Sequence, residues 1–504
     1  MGEAIDMRIA DGVLWKARRD PFAVALRMDQ EERTYGELAA AVLNCGQAFR
    51  ELGGQPGDVV ALYLHNSIAY LELFLSLAHA GFVVAPLNPR LLTAENEKIL
   101  EQMNPWRVIR EDDQQLIVTR DLAKTFTGIW LKDLCVQKPT ESESTLPYED
   151  RTLDAGLSDE DIFYVGYSSG TTGAPKGLLR THRSWTESFF GMTLEFGISG
   201  TSTLLVPGPL YYSASLIAAL HVLFVGGTVE LLRHFDPDFT AKRIKFADIS
   251  AVFMVPTMYR SVLDVCRARP EWATDAAITC ISAGDKLPVQ TRVEWCSTYP
   301  HATFYEYFGS SEVGFVSVCP SIDDETYAQS VGLPFFPAQV RVVNGEIQVK
   351  SGMGFSGYAK ADHDLQKQIE RSDGWKASGD LGYIDEKGYL YLTGRSSDLI
   401  ICGGVNLYPS EIERVALVYP GVREACAFGI PDSVLGQIPV CVVVWEKGID
   451  SGAQEVALRR FLHEQLSGYK RPRQIWSRSE LPKNAGGKVM KRKLLEELQR
   501  HEKT

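Results

Sequence analysis

Residues 167–177 read Tyr-Ser-Ser-Gly-Thr-Thr-Gly-Ala-Pro-Lys-Gly. Four hydroxyl side chains, Ser168, Ser169, Thr171 and Thr172, are interleaved with Gly170 and Gly173, and Lys176 follows. Glycines let a backbone turn its N–H groups toward an anion. Hydroxyls add donors, and a lysine adds the positive charge that a polyphosphate calls for. The run is not a Walker A sequence, because no G-x-x-x-x-G-K-[ST] can be read through it. It follows an apolar, strand-like stretch, Ile162–Gly166. Gly/Ser/Thr-rich composition also marks plain surface loops, so by itself the run leaves phosphate binding and a simple connection both open.

Further along stand isolated groups with chemical potential and equally plain alternatives. Glu312 closes Phe308-Gly-Ser-Ser-Glu312 and could be a metal ligand or a solvated loop carboxylate. Asp380 follows Gly379 and could read a hydroxylated ligand or simply shape a turn. Lys488 follows Gly486-Gly487, a pairing suited to presenting a side chain. Lys483, Lys491, Arg492 and Lys493 flank it, however, and charge runs are usually solvated faces.

Taken together these segments resemble the adenylate-forming enzymes: acyl-CoA synthetases, adenylation domains and firefly-type luciferases. Ser168–Gly177 is similar to the family signature. Phe308–Glu312 is similar to aromatic-Gly-x-Thr-Glu, Ser378-Gly-Asp-Leu-Gly382 to Thr-Gly-Asp-Leu-Gly, and Gly394-Arg-Ser-Ser-Asp-Leu-Ile400 to Gly-Arg-x-x-Asp-x-Ile. Pro482-Lys-Asn-Ala-Gly-Gly-Lys488 is similar to Pro-Lys-x-x-x-Gly-Lys. The five motifs keep the family's order, and Ala85-Pro-Leu-Asn-Pro-Arg90 upstream resembles the acyl-CoA synthetase branch.

The resemblance implies a two-step reaction using ATP, Mg²⁺ and CoA: a carboxylate attacks the α-phosphate to give acyl-AMP and pyrophosphate, then a thiol takes the acyl group. It implies that Ser168, Ser169, Gly170, Thr171, Thr172, Gly173 and Lys176 cover the β- and γ-phosphates. Glu312 would coordinate Mg²⁺ and Ser311 would donate to the α-phosphate. Phe308 would stack on adenine within Tyr307–Ser310, and Glu306 would accept from its amino group. The facing wall is Gly284-Asp285-Lys286 where the family has Gly-Ala-Pro, a departure. Asp380 and Arg395 would hold the ribose. Lys488 would bridge the attacking carboxylate and the phosphate, offsetting charge in the transition state. Asp398 would be a hinge, and Gly403 and Gly404 would line the path of the CoA thiol.

For the acid, the implied pocket is Tyr211, Tyr212, Val255, Ala283, Gly309, Ser310 and Gly314. Residues 207–215 carry no acidic side chain, which argues against an α-amino acid, since a buried ammonium needs a partner. Small and apolar lining suits an uncharged fatty or aryl body. Three further readings remain: loading of a carrier-protein phosphopantetheine or amide formation by an amine, luciferase-type oxygenation, and a non-catalytic nucleotide-binding relative.

Elements must hold these residues in place. Thr34-x-x-Glu37 predicts a capping box. Leu38, Val42, Phe49 and Leu52 recur at helical spacing until Gly53-Gly54. Residues 58–64 and 82–85 read as strands and 68–80 as a helix, an alternation that predicts parallel α/β layers. Residues 340–350 and 389–393 predict short strands with turns such as Asn344-Gly345. A new unit follows, with helices at 410–418 and 454–466 and strands at 422–429 and 439–445. The expected architecture is α/β: a large domain, 1–396, of two layered α/β subdomains plus a small β-barrel-like one, then a small mobile α+β domain, 397–504.

Composition agrees. The 504 residues include 52 Lys plus Arg and 64 Asp plus Glu, a net charge of −12, which excludes a general nucleic-acid binder. At 45 % hydrophobic and 23 % charged the chain is globular rather than disordered. Nine cysteines without C-x-x-C predict reduced thiols and a cytoplasmic setting. The most apolar stretch, residues 214–225, is broken by His221 and too short to span a bilayer. A monomer, or a homodimer through the large domain, is expected.

Overall fold

A computed structural model describes the chain apart from residues 1–5, 92, 113–114, 120–128, 131–155, 170–174, 321–326, 328, 360–368, 396–397, 403–404, 433, 447, 450, 467, 484–488 and 502–504. The fold is mixed α/β and divides into two compact units. The first comprises Met1–Ala328, Gly332–Gln339 and Val349–Lys376; the second comprises Gln329–Val331, Val340–Gln348 and Ala377–Thr504.

The first unit is built on two large sheets. In the nine-stranded sheet the strands run in the order Leu333–Pro334, Gly314–Pro320, Ala302–Ser310, Ile278–Ser282, Ala251–Met254, Thr203–Val206, Thr228–Leu231, Val24–Met28 and Glu31–Thr34. The pairings from Ala302–Ser310 through Val24–Met28 are parallel, and the flanking pairings are antiparallel. Thr203–Val206 and Ala251–Met254 are buried at every position, as parallel strands covered on both faces require. Helices Ser213–Val225, Pro256–Ala268 and Val289–Thr298 connect successive parallel strands. The first of these carries the apolar run with His221. That histidine is buried and shares a 2.9 Å hydrogen bond with Thr193, which explains how a polar ring is tolerated there. No helix among the described residues is long and apolar enough to cross a membrane.

The eight-stranded sheet runs Gly357–Tyr358, Pro175–Thr181, Ile162–Ser169, Val83–Pro86, Val59–Tyr63, Arg107–Asp112, Gln115–Thr119 and Ile129–Trp130. Here the local signals translate closely. Thr34 and Glu37 form the reciprocal capping box that opens helix Tyr35–Glu51. Leu38, Val42 and Phe49 are buried in the main core. Helix Ile68–His79 is capped by Ser67, whose hydroxyl accepts from the Tyr70 amide.

Most of a four-stranded sheet belongs to the second unit: Gln339–Val343, Glu346–Lys350, Lys376–Ile384 and Leu390–Arg395. This is the region expected to be barrel-like. Asn344 and Gly345 both have positive φ, 52° and 81°, the backbone of a two-residue hairpin turn. The same unit ends in a five-stranded sheet of Val405–Leu407, Ile400–Cys402, Gly436–Trp445 and Val422–Asp432, with Gln474–Arg478 also paired to Gly436–Trp445. Helices Pro409–Val418 and Ser451–Gln465 accompany it, and its core includes Ile412, Ala416, Cys441, Val443 and Leu458.

Seven described cysteines are free thiols. Cys45 departs from the expectation of reduced cysteines, being disulfide-bonded.

Candidate active site

Four adjacent parallel strands end side by side in the first unit, and the chain segments leaving their carboxyl ends carry most of the expected residues. Thr203–Val206 leads to Tyr211 and Tyr212, and Ala251–Met254 to Val255. Ile278–Ser282 leads to Ala283–Lys286, and Ala302–Ser310 ends at Ser311 and Glu312. Ser282 lies in register with Met254 on one side and Glu306 on the other. The sheet order places Thr203–Val206 between the strand that follows it in sequence and Ala251–Met254. The connections therefore leave in opposite directions at this point, the position where open α/β sheets form a ligand crevice.

Glu306 is 5 % exposed. Its Oε2 accepts from Lys286 Nζ at 2.7 Å and its Oε1 from the Leu287 amide at 2.8 Å. The departure at residues 284–286 and the carboxylate at 306 are thus one feature: the buried charge is met by a lysine from the facing loop. Gly284 starts that loop with φ +95°, a backbone other residues rarely adopt. Asp285 is exposed and caps the Lys286 amide. The expected adenine acceptor is consequently engaged within the protein, although a carboxylate has lone pairs for more than two donors.

Strand alternation separates the next residues. Glu306 and Phe308 share one face, while Tyr307 faces the other. The Tyr307 ring packs at 4.6 Å from Phe315 and 6.4 Å from Phe253. Burial pushes its hydroxyl pKa up, and the ring packs against the main core. Phe308 is half-buried, Ser311 is exposed and Glu312 is half-buried. At the hairpin that follows, Ser310 pairs with Gly314, whose φ is +76°. A side chain there would run into the Met353 carbonyl, and one at Gly309 into the Gly314 carbonyl. Phe355 N donates to Glu312 O at 2.9 Å, fastening the turn to the segment Met353–Phe355.

Among the expected acyl-pocket residues, Tyr211 is buried, with its ring centroid 4.8 Å from that of Tyr212. Its hydroxyl has no hydrogen-bond partner among the described residues, and burial raises its pKa. Ala283 is buried, Val255 half-buried, and both Tyr212 and Val255 stand at helix N-termini.

The glycine and hydroxyl run joins strands Ile162–Ser169 and Pro175–Thr181, which pair antiparallel with Ser168 opposite Lys176. It is a hairpin connection, not a strand-to-helix turn, so any anion there is met without a helix N-terminus immediately behind the run. Gly170, Thr171, Thr172 and Gly173 lie outside the described residues.

In the second unit Asp380 and Arg395 are cross-strand partners. Arg395 Nε donates to Asp380 Oδ1 at 3.0 Å, and Asp380 is 4 % exposed. Ser378 Oγ accepts from the Asp380 amide and donates to the Ile347 carbonyl, each at 3.0 Å. Asp398 accepts from Lys491 Nζ at 3.1 Å, and Glu413 lies 3.6 Å from the same ammonium. Burial alone would lower the Lys491 pKa, but Glu413 and Asp398, joined by Cys426, raise it. Gly403, Gly404 and Lys488 lie outside the described residues.

Arg180 was not singled out in the sequence. It is 7 % exposed and donates to the carbonyls of Ser311 and Met353 and to Ser184 Oγ. Lys376 was also missed; its ammonium donates to the Phe355 carbonyl. Both hold backbone carbonyls, which leave no mark in a sequence.

Comparison with known proteins agrees with this fold. Residues 13–358 match the AMP-binding enzyme family, and residues 411–488 match the AMP-binding enzyme C-terminal domain. The chain is 33 % identical to the acyl–CoA ligase YhfT of Bacillus subtilis (strain 168), over 95 % of this chain and 97 % of that one. It is 30 % identical to a 2-succinylbenzoate–CoA ligase of Geobacillus sp. (strain WCH70), over 96 % and 97 % of the two chains. Among solved structures, ATP-bound MatB from Rhodopseudomonas palustris superposes with a TM-score of 0.82 at 27 % identity, covering 97 % of this chain and 99 % of that one. The chain therefore belongs to the AMP-binding enzyme family.

Proposed function

We propose that the chain is an ATP-dependent carboxylic acid:CoA ligase that activates an aryl acid as its acyl-AMP and passes the acyl group to CoA. The observation that carries the reading is the convergence of Tyr211–Tyr212, Val255, Ala283–Lys286 and Glu306–Glu312 at the carboxyl ends of four neighbouring strands.

In this reading Phe308 offers a flat face to adenine, and the Lys286–Glu306 pair fixes the loop that walls it. Asp380, aligned by Arg395, accepts from the ribose hydroxyls. Ser311, exposed at the turn, donates to the α-phosphate, and Lys176 draws the β- and γ-phosphates. Glu312 is a half-exposed carboxylate beside an exposed hydroxyl. That arrangement suits Mg²⁺, which keeps waters and phosphate oxygens and takes one or two protein carboxylates. When bound, Mg²⁺ offsets charge on the phosphate oxygens. Lys488 brings the last positive charge to the carboxylate as it attacks the α-phosphate. Residues 397–504 then turn about Asp398, so that Gly403 and Gly404 admit the thiol to the acyl carbon. The thiol sulfur bonds to that carbon, AMP departs, and the thiol proton leaves to solvent.

An aryl substrate is favoured over a fatty one by the adjoining rings of Tyr211 and Tyr212. The resemblance to a 2-succinylbenzoate–CoA ligase points the same way. Against the disulfide at Cys45, the seven described free thiols favour a cytoplasmic setting. The test is a panel of aryl and fatty acids with ATP, scored by pyrophosphate release with and without CoA. Pyrophosphate release and thioester formation on aryl acids are expected. Turnover confined to fatty acids would overturn the substrate class. Acyl-AMP that accepts a carrier-protein thiol in preference to CoA would overturn the acceptor.

A further inference from the structure

Arg180 is a buried cation held by neutral acceptors. Its guanidinium donates to two backbone carbonyls and one hydroxyl: Ser311 O at 3.3 Å, Met353 O, and Ser184 Oγ at 3.2 Å. Among the described residues it makes no ion pair, and the carboxylate acting on it electrostatically is that of Glu312. Burial pulls its pKa down to about 10, still far above neutral, so it stays charged. Removing a guanidinium from water onto neutral acceptors is costly. A fold that keeps it there uses it to hold the Ser311 and Met353 carbonyls.

The surroundings form one connected clamp. Arg180 joins the Ser311 carbonyl to the Met353 carbonyl. Two residues on, the Phe355 amide reaches the Glu312 carbonyl at 2.9 Å, and Lys376 holds the Phe355 carbonyl. The glycine between, Gly354, sits so close that a Cβ would stand 3.1 Å from Glu312 O and 3.2 Å from Lys376 Nζ. The planar fork of an arginine suits two fixed acceptors at once, which a single ammonium does not.

We infer that Arg180 is a positioning residue for adenylation, clamping the Ser311–Glu312 turn so that Glu312 meets the metal–triphosphate in one orientation. This rests on Glu312 being the Mg²⁺ ligand, as proposed above. Outer-shell partners of metal ligands typically contribute 10–100-fold to metal affinity.

The test uses the full chain and calorimetry with two probes, ATP in EDTA and MgATP, for wild type, R180M, R180K and E312Q. The readout is the factor by which Mg²⁺ tightens ATP binding. R180M should shrink that factor about tenfold, with a matching rise in the Mg²⁺ needed for half-maximal ATP–pyrophosphate exchange. R180K, which keeps the charge and loses the fork, should fall between R180M and wild type. R180M/E312Q should be no worse than E312Q, because the arginine acts through the carboxylate. A merely structural arginine would weaken both probes equally and leave the factor unchanged, which overturns the proposal, as would an R180M indistinguishable from wild type. If R180M does not fold, R180K decides: an unchanged factor overturns the clamp. If E312Q leaves the factor at its wild-type value, it is the Glu312 assignment that fails.

Discussion

At the scale of single residues, the chemistry proposed here depends on charges placed one at a time. Lys488→Ala should slow acyl-AMP formation by about 10²–10³-fold, a magnitude typical of a lost transition-state donor. ATP binding should persist, and ATP–pyrophosphate exchange at near wild-type rate would remove Lys488 from the mechanism. The Lys286–Glu306 pair makes a different prediction. Lys286→Met strands a buried carboxylate, and because the lysine is about one-third exposed the cost should be modest, about 1–2 kcal/mol. Glu306→Gln added to it should recover part of that loss, read as urea midpoints in a double-mutant cycle. The KM for ATP should rise in the single variant, because the loop proposed to face adenine loses its anchor. These two residues also show where sequence reading stops. Glu306 and Lys286 were each visible as motif positions, but their contact joins two strand ends twenty residues apart. No local pattern encodes it.

At the scale of elements, the hairpin through Ser310–Gly314 presents both Ser311 and Glu312, and its geometry is held by backbone that tolerates no Cβ. Gly314→Ala should therefore cost about 1–3 kcal/mol through a strained φ and the contact with Met353. Adenylation should slow along with it. Wild-type stability measured by urea unfolding would show that the turn is softer than described. Local elements were the legible part of this chain. The Thr34–Glu37 box, the Asn344-Gly345 turn and the buried parallel strands each follow from a few adjacent side chains. The hairpin around the glycine and hydroxyl run was only half visible. Its first strand reads from Ile162-Phe-Tyr-Val, whereas the second, starting at Pro175, lacks an obvious alternation. Arg180 sits on that second strand, and its acceptors are carbonyls, common to every residue type.

At the scale of the whole molecule, the proposal asks one chain to perform two different reactions, adenylation and thioester formation, by turning residues 397–504 about Asp398. Asp398→Pro should stiffen that pivot and depress thioester formation more than adenylation, compared by CoA-dependent turnover against ATP–pyrophosphate exchange. Equal loss in both half-reactions would speak against the hinge. The salt bridge from Asp398 to Lys491 adds a mechanical consequence. Lys491 opens the helix Lys491–His501, and a backbone bridge joins Lys483 to Val489 just ahead of it. The proposed pivot is thus bolted to the start of that helix. A pivot at Asp398 would carry that helix with it, so loosening the ion pair would loosen both at once.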